Sequence, residues 1–248
     1  GMTIQGNHVG ITMGGVARPN GAAGLIVMTD NNLVTDNVIA TNGGPGITIL
    51  RNTNTAIGTV ISGYTPVPAT ATNNRLARNS IYGNTQLGID LAAVDTTWTT
   101  AGNTLSVPYS WTSGVTPNDG ALGPAPPANT GTFGNRAIDY PVFTSAVMSP
   151  SAGTLTVSGF VGRAGGSAAF AGATVEVFKA DNAPSDQNGS IFAGDSLSVA
   201  HGEGRTYLGS CTADGAAVFS GCVLALPPAA PVNSWALGDT ISGTASLC

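Results

Sequence analysis

The sequence predicts an all-β protein in two parts, the coils of a parallel β-helix over residues 1–143 and an immunoglobulin-like β-sandwich over residues 144–248. Three observations predict it: a composition of strand and turn formers, a repeat at a fixed 42-residue offset, and late segments of alternating character separated by turn residues.

Only 8% of the 248 residues are charged, against a usual ~25%. Lys179 is the one lysine, and Glu176 and Glu203 are the two glutamates. Strong helix formers are therefore scarce. Gly, Thr, Ser, Asn, Val and Ile carry the chain instead, which is the chemistry of strands and turns. A hydrophobic content of 42% is enough to bury a core, which separates this low-charge chain from a disordered one. The net charge is −5, and no Lys/Arg run offers a footprint for nucleic acid. No apolar run approaches the ~20 residues of a membrane span. Gly1 before Met2 reads as a cloning remnant, and no signal peptide is visible. The natural N-terminus, with further coils, is expected upstream of Thr3.

The repeat carries the first part. Asn37, Asn42, Gly46 and Ile47 recur as Asn79, Asn84, Gly88 and Ile89, each 42 residues later. A shorter copy is read at the start, as Ile4-Gln5-Gly6-Asn7 followed by Gly10-Ile11-Thr12-Met13. In Gly-Ile-x-Leu the two apolar side chains share one face of a strand, so Ile47, Ile89 and Leu91 are expected to be interior. On that register Ile89→Ala should cost ~2–5 kcal/mol. The glycine beside the strand is read as allowing a sharp corner. The asparagines suit turns and can bond to copies of themselves in a stack. One such unit cannot bury its own apolar face and must stack on others.

The run Asn79 to Leu91, Asn-x-Ile-x-Gly-Asn-x-x-x-Gly-Ile-Asp-Leu, resembles the right-handed parallel β-helix repeat of large bacterial surface proteins. Two further segments resemble the same family. They are Thr116-Pro117-Asn118-Asp119 with Asp139-Tyr140-Pro141-Val142-Phe143, and Gly202-Glu203-Gly204-Arg205-Thr206-Tyr207-Leu208-Gly209-Ser210. The resemblance implies an appended β-sandwich and a secreted or cell-surface location. Family members commonly carry an Asp-x-Asp cluster after Thr-Pro-Asn-Asp. Here that stretch reads Ala121-Leu122-Gly123-Pro124, which removes the acids of any calcium site there.

Residues 92–143 include Trp98, Tyr109, Trp111 and a Pro/Gly-rich stretch. They are read as the cap over the open end of the last coil, because an uncovered strand edge invites association. Trp98 and Trp111 are alternatively a sugar-stacking pair. From Thr154 onward, Thr154–Val161, Ala173–Phe178, Thr206–Thr212, Ala216–Val223 and Asp239–Ala245 read as sandwich strands. Asp214-Gly215 is read as a hairpin turn. Three cysteines leave one unpaired within a monomer, and a monomer is expected. Cys211 with Cys222 is the favoured disulfide; Cys222 with Cys248, or three free thiols, are the alternatives. In a simple two-residue hairpin position 211 faces 218, so a 211–222 bond needs a longer loop or a bulge.

A catalytic constellation is not recognisable. Glycoside hydrolysis needs two carboxylates flanking one bond, and no two acids are adjacent here. Asp90, in register with Thr48, is expected to point outward, onto a solvated face or into a groove with Asp95 and Arg78. The loop acids Asp181, Asp186 and Asp195 with Asn188 have oxygen donors suited to calcium, without EF-hand spacing. No other cofactor is implied. The expected role is a structural or adhesive segment of a large secreted or cell-surface bacterial protein, with a polysaccharide or host-surface partner. The alternatives are a carbohydrate-active lyase or hydrolase whose groove lies partly in absent coils, and a glycan-binding module.

Overall fold

A computed structural model describes residues 1–51, 71–93, 100–101, 104–105, 116, 118–123, 134–180, 190–191, 200–227 and 238–247. Its described elements are almost entirely strands. In the first part these are β1 (Thr3–Gln5), β2 (His8–Val9), β3 (Leu25–Val27), β4 (Leu33–Thr35), β5 (Val38–Ala40), β6 (Ile47–Arg51), β7 (Arg75–Ala77), β8 (Ser80–Tyr82) and β9 (Ile89–Ala93). They form three parallel sheets in the orders β1-β4-β7, β2-β5-β8 and β3-β6-β9. The chain thus visits the same three sheets in the same sequence three times. Leu33 pairs with Arg75, Val38 with Ser80 and Ile47 with Ile89, so the second and third passes are held at the 42-residue offset.

The first pass departs from expectation. Gly10-Ile11-Thr12-Met13 is not the partner of Gly46–Ile49; Leu25, Ile26 and Val27 are. Ile11 instead makes an isolated bridge to Ala17, and Met13 is fully exposed at the tip of an excursion. Asn7 does stack on Asn37, 30 residues away, because the extra residues enter only after β2. A glycine-isoleucine pair alone therefore misplaces the strand when an insert precedes it.

The interior is built from Val27, Val34, Ile39, Ile47, Ile49, Ala71 and Ile81. Gly46 does not have the left-handed backbone that a sharp corner would need. A Cβ there would stand 2.5 Å from the Ile81 side chain and 2.7 Å from the Gly88 carbonyl, so close approach requires the glycine.

Two short hairpin pairs follow at β10 (Thr100–Ala101) with β11 (Thr104–Leu105) and β15 (Ser190–Ile191) with β16 (Ala200–His201). The second part holds β12 (Pro141–Ser149), β13 (Thr154–Val161), β14 (Thr174–Ala180), β17 (Gly204–Thr212), β18 (Val218–Ala225) and β19 (Ile241–Ser246). They form two antiparallel three-stranded sheets, β12-β13-β18 and β17-β14-β19. Val157, Val161, Phe170, Val175, Val177 and Phe219 are among the side chains of their shared core.

The expected hairpin at Asp214-Gly215 is a crossing between sheets. Its strands β17 and β18 lie in different sheets and do not pair with each other. The Asp214 carboxylate accepts from the Ala216 and Val218 amides, and Ala217 takes φ 63°. Cys211 and Cys222 are bonded, with Cα atoms 6.0 Å apart. The bond joins the two sheets, so the in-plane register that pairs 211 with 218 does not apply.

Ile89 and Leu91 are only half-buried, whereas Ile47 and Ile49 are sealed. In urea unfolding Ile47→Ala should lose ~3–5 kcal/mol, as a sealed large-to-small change. Ile89→Ala should lose clearly less, about 1–2 kcal/mol, because Ile89 borders space already empty. Equal losses would contradict this assignment of the interior.

Candidate functional site

The features that point beyond simple stacking lie where the last coil meets the sandwich. Asparagine ladders run along the coils. Asn37 donates from its backbone to the Asn79 Oδ1 at 3.1 Å and from its Nδ2 at 2.9 Å. Asn42 repeats both bonds to Asn84, at 3.0 and 2.9 Å, and Asn32 repeats them to Asn74, at 3.0 and 2.8 Å. Each asparagine thus takes bonds from the coil before and gives bonds to the coil after. In the last coil the donors have no following asparagine from the repeat.

Residues from outside the repeat supply the acceptors. Glu203 takes the Asn84 backbone N–H at 3.0 Å and its Nδ2 at 2.7 Å, the two bonds a next-coil asparagine would take. Glu176, on β14, takes the Arg78 backbone N–H at 2.7 Å. One coil earlier the matching Asp36 N–H goes to the Ala77 carbonyl at 3.1 Å. Asn135, with φ 47° in the turn Gly134–Ala137, takes the Asn74 N–H at 3.0 Å and donates back to the Asn74 carbonyl at 2.7 Å. Both glutamates of the chain therefore terminate the coils, and both come from the sandwich part. The cover assigned from sequence to 92–143 is shared with that part. At the seam, the Arg205 guanidinium also stacks 4.4 Å from the Tyr82 ring centroid. Glu203 and Glu176 are buried, and burial pushes the Glu176 carboxyl above the usual range against the opposing pull of the Arg78 amide.

Asn118 and the Asp139-Tyr140 pair form the joint. Asn118 donates to the Tyr140 and Gly162 carbonyls at 3.0 and 3.1 Å and accepts from the Tyr140 amide at 2.9 Å. The Asp139 Oδ2 accepts the Gly120 amide at 2.8 Å. Asp139 is 1% exposed, and burial pushes its carboxyl up to about 6. Between the last coil and the β17-β14-β19 sheet lies a cavity of about 400 Å³, bordered by Leu76, Ile81, Ile89, Asp139, Phe178 and Ile241 among others.

The residues singled out from sequence do not meet. Asp90 is 1% exposed and its register partner Thr48 is buried as well, so Asp90 points to neither a solvated face nor an open groove. Arg78 lies just after β7, in a different sheet from β9, and its guanidinium clamps Asp36 one coil back at 2.7 and 2.8 Å. That pair holds the Asp36 carboxyl down at about 2. Asp95, Trp98, Trp111, Asp181, Asp186, Asn188, Asp195 and Cys248 lie outside the described residues. Among the described residues no group of three or more His, Cys, Asp or Glu could hold a metal, and no helix is long and apolar enough to cross a membrane. No sequence pattern assigns Glu176, Glu203, Asn135 or Asp139 these bonds, although Glu203 and Asp139 lie in segments that carry the family resemblance and the scarcity of glutamate sets Glu176 and Glu203 apart.

No protein-family model and no solved structure matches the chain.

Glu203→Ala strands two buried donors of Asn84, each worth ~1–3 kcal/mol, so a loss of about 2–5 kcal/mol is expected in chemical denaturation. Glu203→Gln keeps one acceptor oxygen and should lose less. Faster hydrogen exchange at the Asn84 amide should accompany the alanine variant, and an unchanged rate would refute the terminating role. Asp139 is raised in the folded state above its unfolded value of 3.8. Its protonated form favours folding, so its stabilising contribution is full below pH ~4 and is lost as pH rises toward ~6. Relative to Asp139→Asn, the parent protein should lose up to ~3 kcal/mol between pH 4 and pH 7. Parallel stability curves for the two proteins would show that Asp139 is not buried as described.

Proposed function

We propose that this chain is a structural module of a large exported bacterial protein: the end of a right-handed parallel β-helix, closed by an immunoglobulin-like sandwich, serving adhesion or display rather than catalysis. The observation that carries the reading is where the charged groups of the coils go. Arg78 and Asp36 clamp successive coils, Asp90 is enclosed within its sheet region, and Glu176 and Glu203 close the stack. Groups so engaged hold a scaffold in shape and are poorly placed to move protons on a substrate. The bond between Cys211 and Cys222 supports export, since such bonds persist mainly in oxidising compartments. A stacked coil offers a regular, extended face on which a polymer or a host-surface molecule can lie.

Incubation with acidic polysaccharides such as polygalacturonate and alginate should leave their chain length unchanged. Non-reducing peptide mapping should return a crosslinked Cys211–Cys222 peptide. New chain ends that accumulate in proportion to protein would replace this reading with the carbohydrate-active enzyme. Three alkylatable thiols in protein purified under oxidising conditions would remove the support for export.

A further inference from the structure

One sheet of the second part carries no charge and has an open edge. No Asp, Glu, Lys, Arg or His occurs between Asp139 and Arg163, or between Asp214 and Asp239. The strands β12, β13 and β18 fall wholly within those stretches, so their sheet is neutral throughout. The facing sheet, by contrast, carries Glu176, Lys179 and Arg205. β12 pairs with β13, and no described strand pairs with its other side. The unpaired N–H and C=O groups of an edge strand template further pairing, so edges are commonly blunted with a lysine, an inward charge, a proline or a bulge. β12 has a bulge at Thr144, and Pro150 follows its end. Between them, residues 145–149 keep unbroken register against β13 and have none of these devices. The opposite edge is less open. β18 is interrupted at Ser220 and Gly221, where its register against β13 shifts, and Cys222 ties it to β17.

Exposure along β12 shows where a neighbour is missing. Val147, paired with Thr156 on the outer face, is 62% exposed. Ala146 pairs with the fully buried Val157 and so faces inward, yet Ala146 is exposed. The flank of the core is therefore open to water beside β12.

Self-complementarity identifies the occupant. The bulge and Pro150 confine pairing to residues 145–149, whose midpoint is Val147. About a twofold axis there, Val147 meets its own copy, Ser145 meets Ser149, and Ala146 meets Met148. A small inward residue thus lies beside a large one on both sides of the axis, and no like charges are brought together. β12 begins at the seam with the coils, where Pro141 and Val142 line the cavity. An antiparallel partner sends its coils the other way, with the two copies of Pro141 ~40 Å apart. A parallel partner would set the two coil stacks side by side.

We propose that residues 145–149 of β12 pair antiparallel with the same residues of a second copy, joining two β12-β13-β18 sheets into one. The chain then forms a twofold dimer, in place of the monomer expected from the sequence. The pairing is short and buries less than the ~1,200 Å² of standard interfaces, so the dimer is reversible and weak, with a Kd of about 10–100 µM. This goes beyond the scaffold role proposed above and does not rest on it.

Sedimentation velocity of the whole chain from about 1 to 500 µM tests this range. Free thiols are alkylated first, to exclude disulfide-linked pairs. The weight-average sedimentation coefficient should rise with concentration from that of a monomer toward that of a dimer. Val147→Lys should stay monomeric, because two like charges would meet at the axis, and so should Val147→Glu. An equimolar mixture of those two variants should regain the dimer, associating at least about tenfold more tightly than either alone. Val223→Lys, on the same outer face but on β18, should associate like the parent. Val147 and Val223 are both exposed, so the folds should be unchanged by circular dichroism. A parent that stays monomeric, a dimer undiminished in Val147→Lys, a mixture that fails to associate, or an equal loss in Val223→Lys would each overturn the proposal. The second outcome would place the contact elsewhere on the molecule, and the last would place it on the sheet face.

Discussion

A stack of coils joined by parallel strands and asparagine ladders has no chemical reason to end. Every corner asparagine hands two N–H donors to the next coil, and every edge strand presents backbone groups to it. At the last coil these donors are buried, so they must find acceptors or cost ~1–3 kcal/mol each. The rest of the molecule is organised around that requirement. Glu203 occupies the position of the missing asparagine for Asn84, and Asn135 takes the backbone N–H of Asn74. Glu176 stands where a next-coil carbonyl would stand for Arg78. The second part is thereby held to the coils by Glu203 and Glu176, with Arg205 stacked on Tyr82, and no described strand of its two sheets joins the coil sheets.

This arrangement explains the unusual use of charge. A carboxylate is a good terminator because it accepts two hydrogen bonds and donates none, matching the paired donors of an asparagine. It also carries a desolvation penalty, visible in the raised Glu176 carboxyl. That penalty is tolerable only where strong donors await the group. A chain that makes little use of glutamate and sets both of its glutamates at the seam is consistent with that condition.

What was legible in the sequence follows from the range of the interactions involved. The 42-residue offset of Asn37/Asn79 and Ile47/Ile89 is a repeated local pattern, and the strand pairs lie at that offset. Gly10-Ile11 does not mark the third strand of the first pass, because an insert after β2 shifts that strand to Leu25 while leaving Asn7 in place. Asp214-Gly215 has the chemistry of a tight turn whether its strands pair or part into two sheets, and only the packed core decides between these. Strand alternation points Asp90 outward on the assumption of one solvated face, but Thr48 and Asp90 are both buried, as side chains on either face of parallel sheets commonly are. Glu203 and Glu176 act 119 and 98 residues away from their partners, and no pattern within either segment announces such a contact.

The seam therefore joins a rim and a centre of opposite character. The rim is polar and buried, with Glu203, Glu176 and Asn135 each taking a donor of the last coil. The centre is apolar and underfilled, so Ile89 and Leu91 are less enclosed than Ile47 and Ile49 one coil deeper. Docking of the sandwich must then draw its strength from directional bonds at the edge more than from packing in the middle. Bonds of that kind hold orientation tightly, because a small shift breaks them, while an open centre tolerates changes in what fills it. A rigid frame around an underfilled interior therefore fixes how the two parts meet without requiring a tightly packed centre.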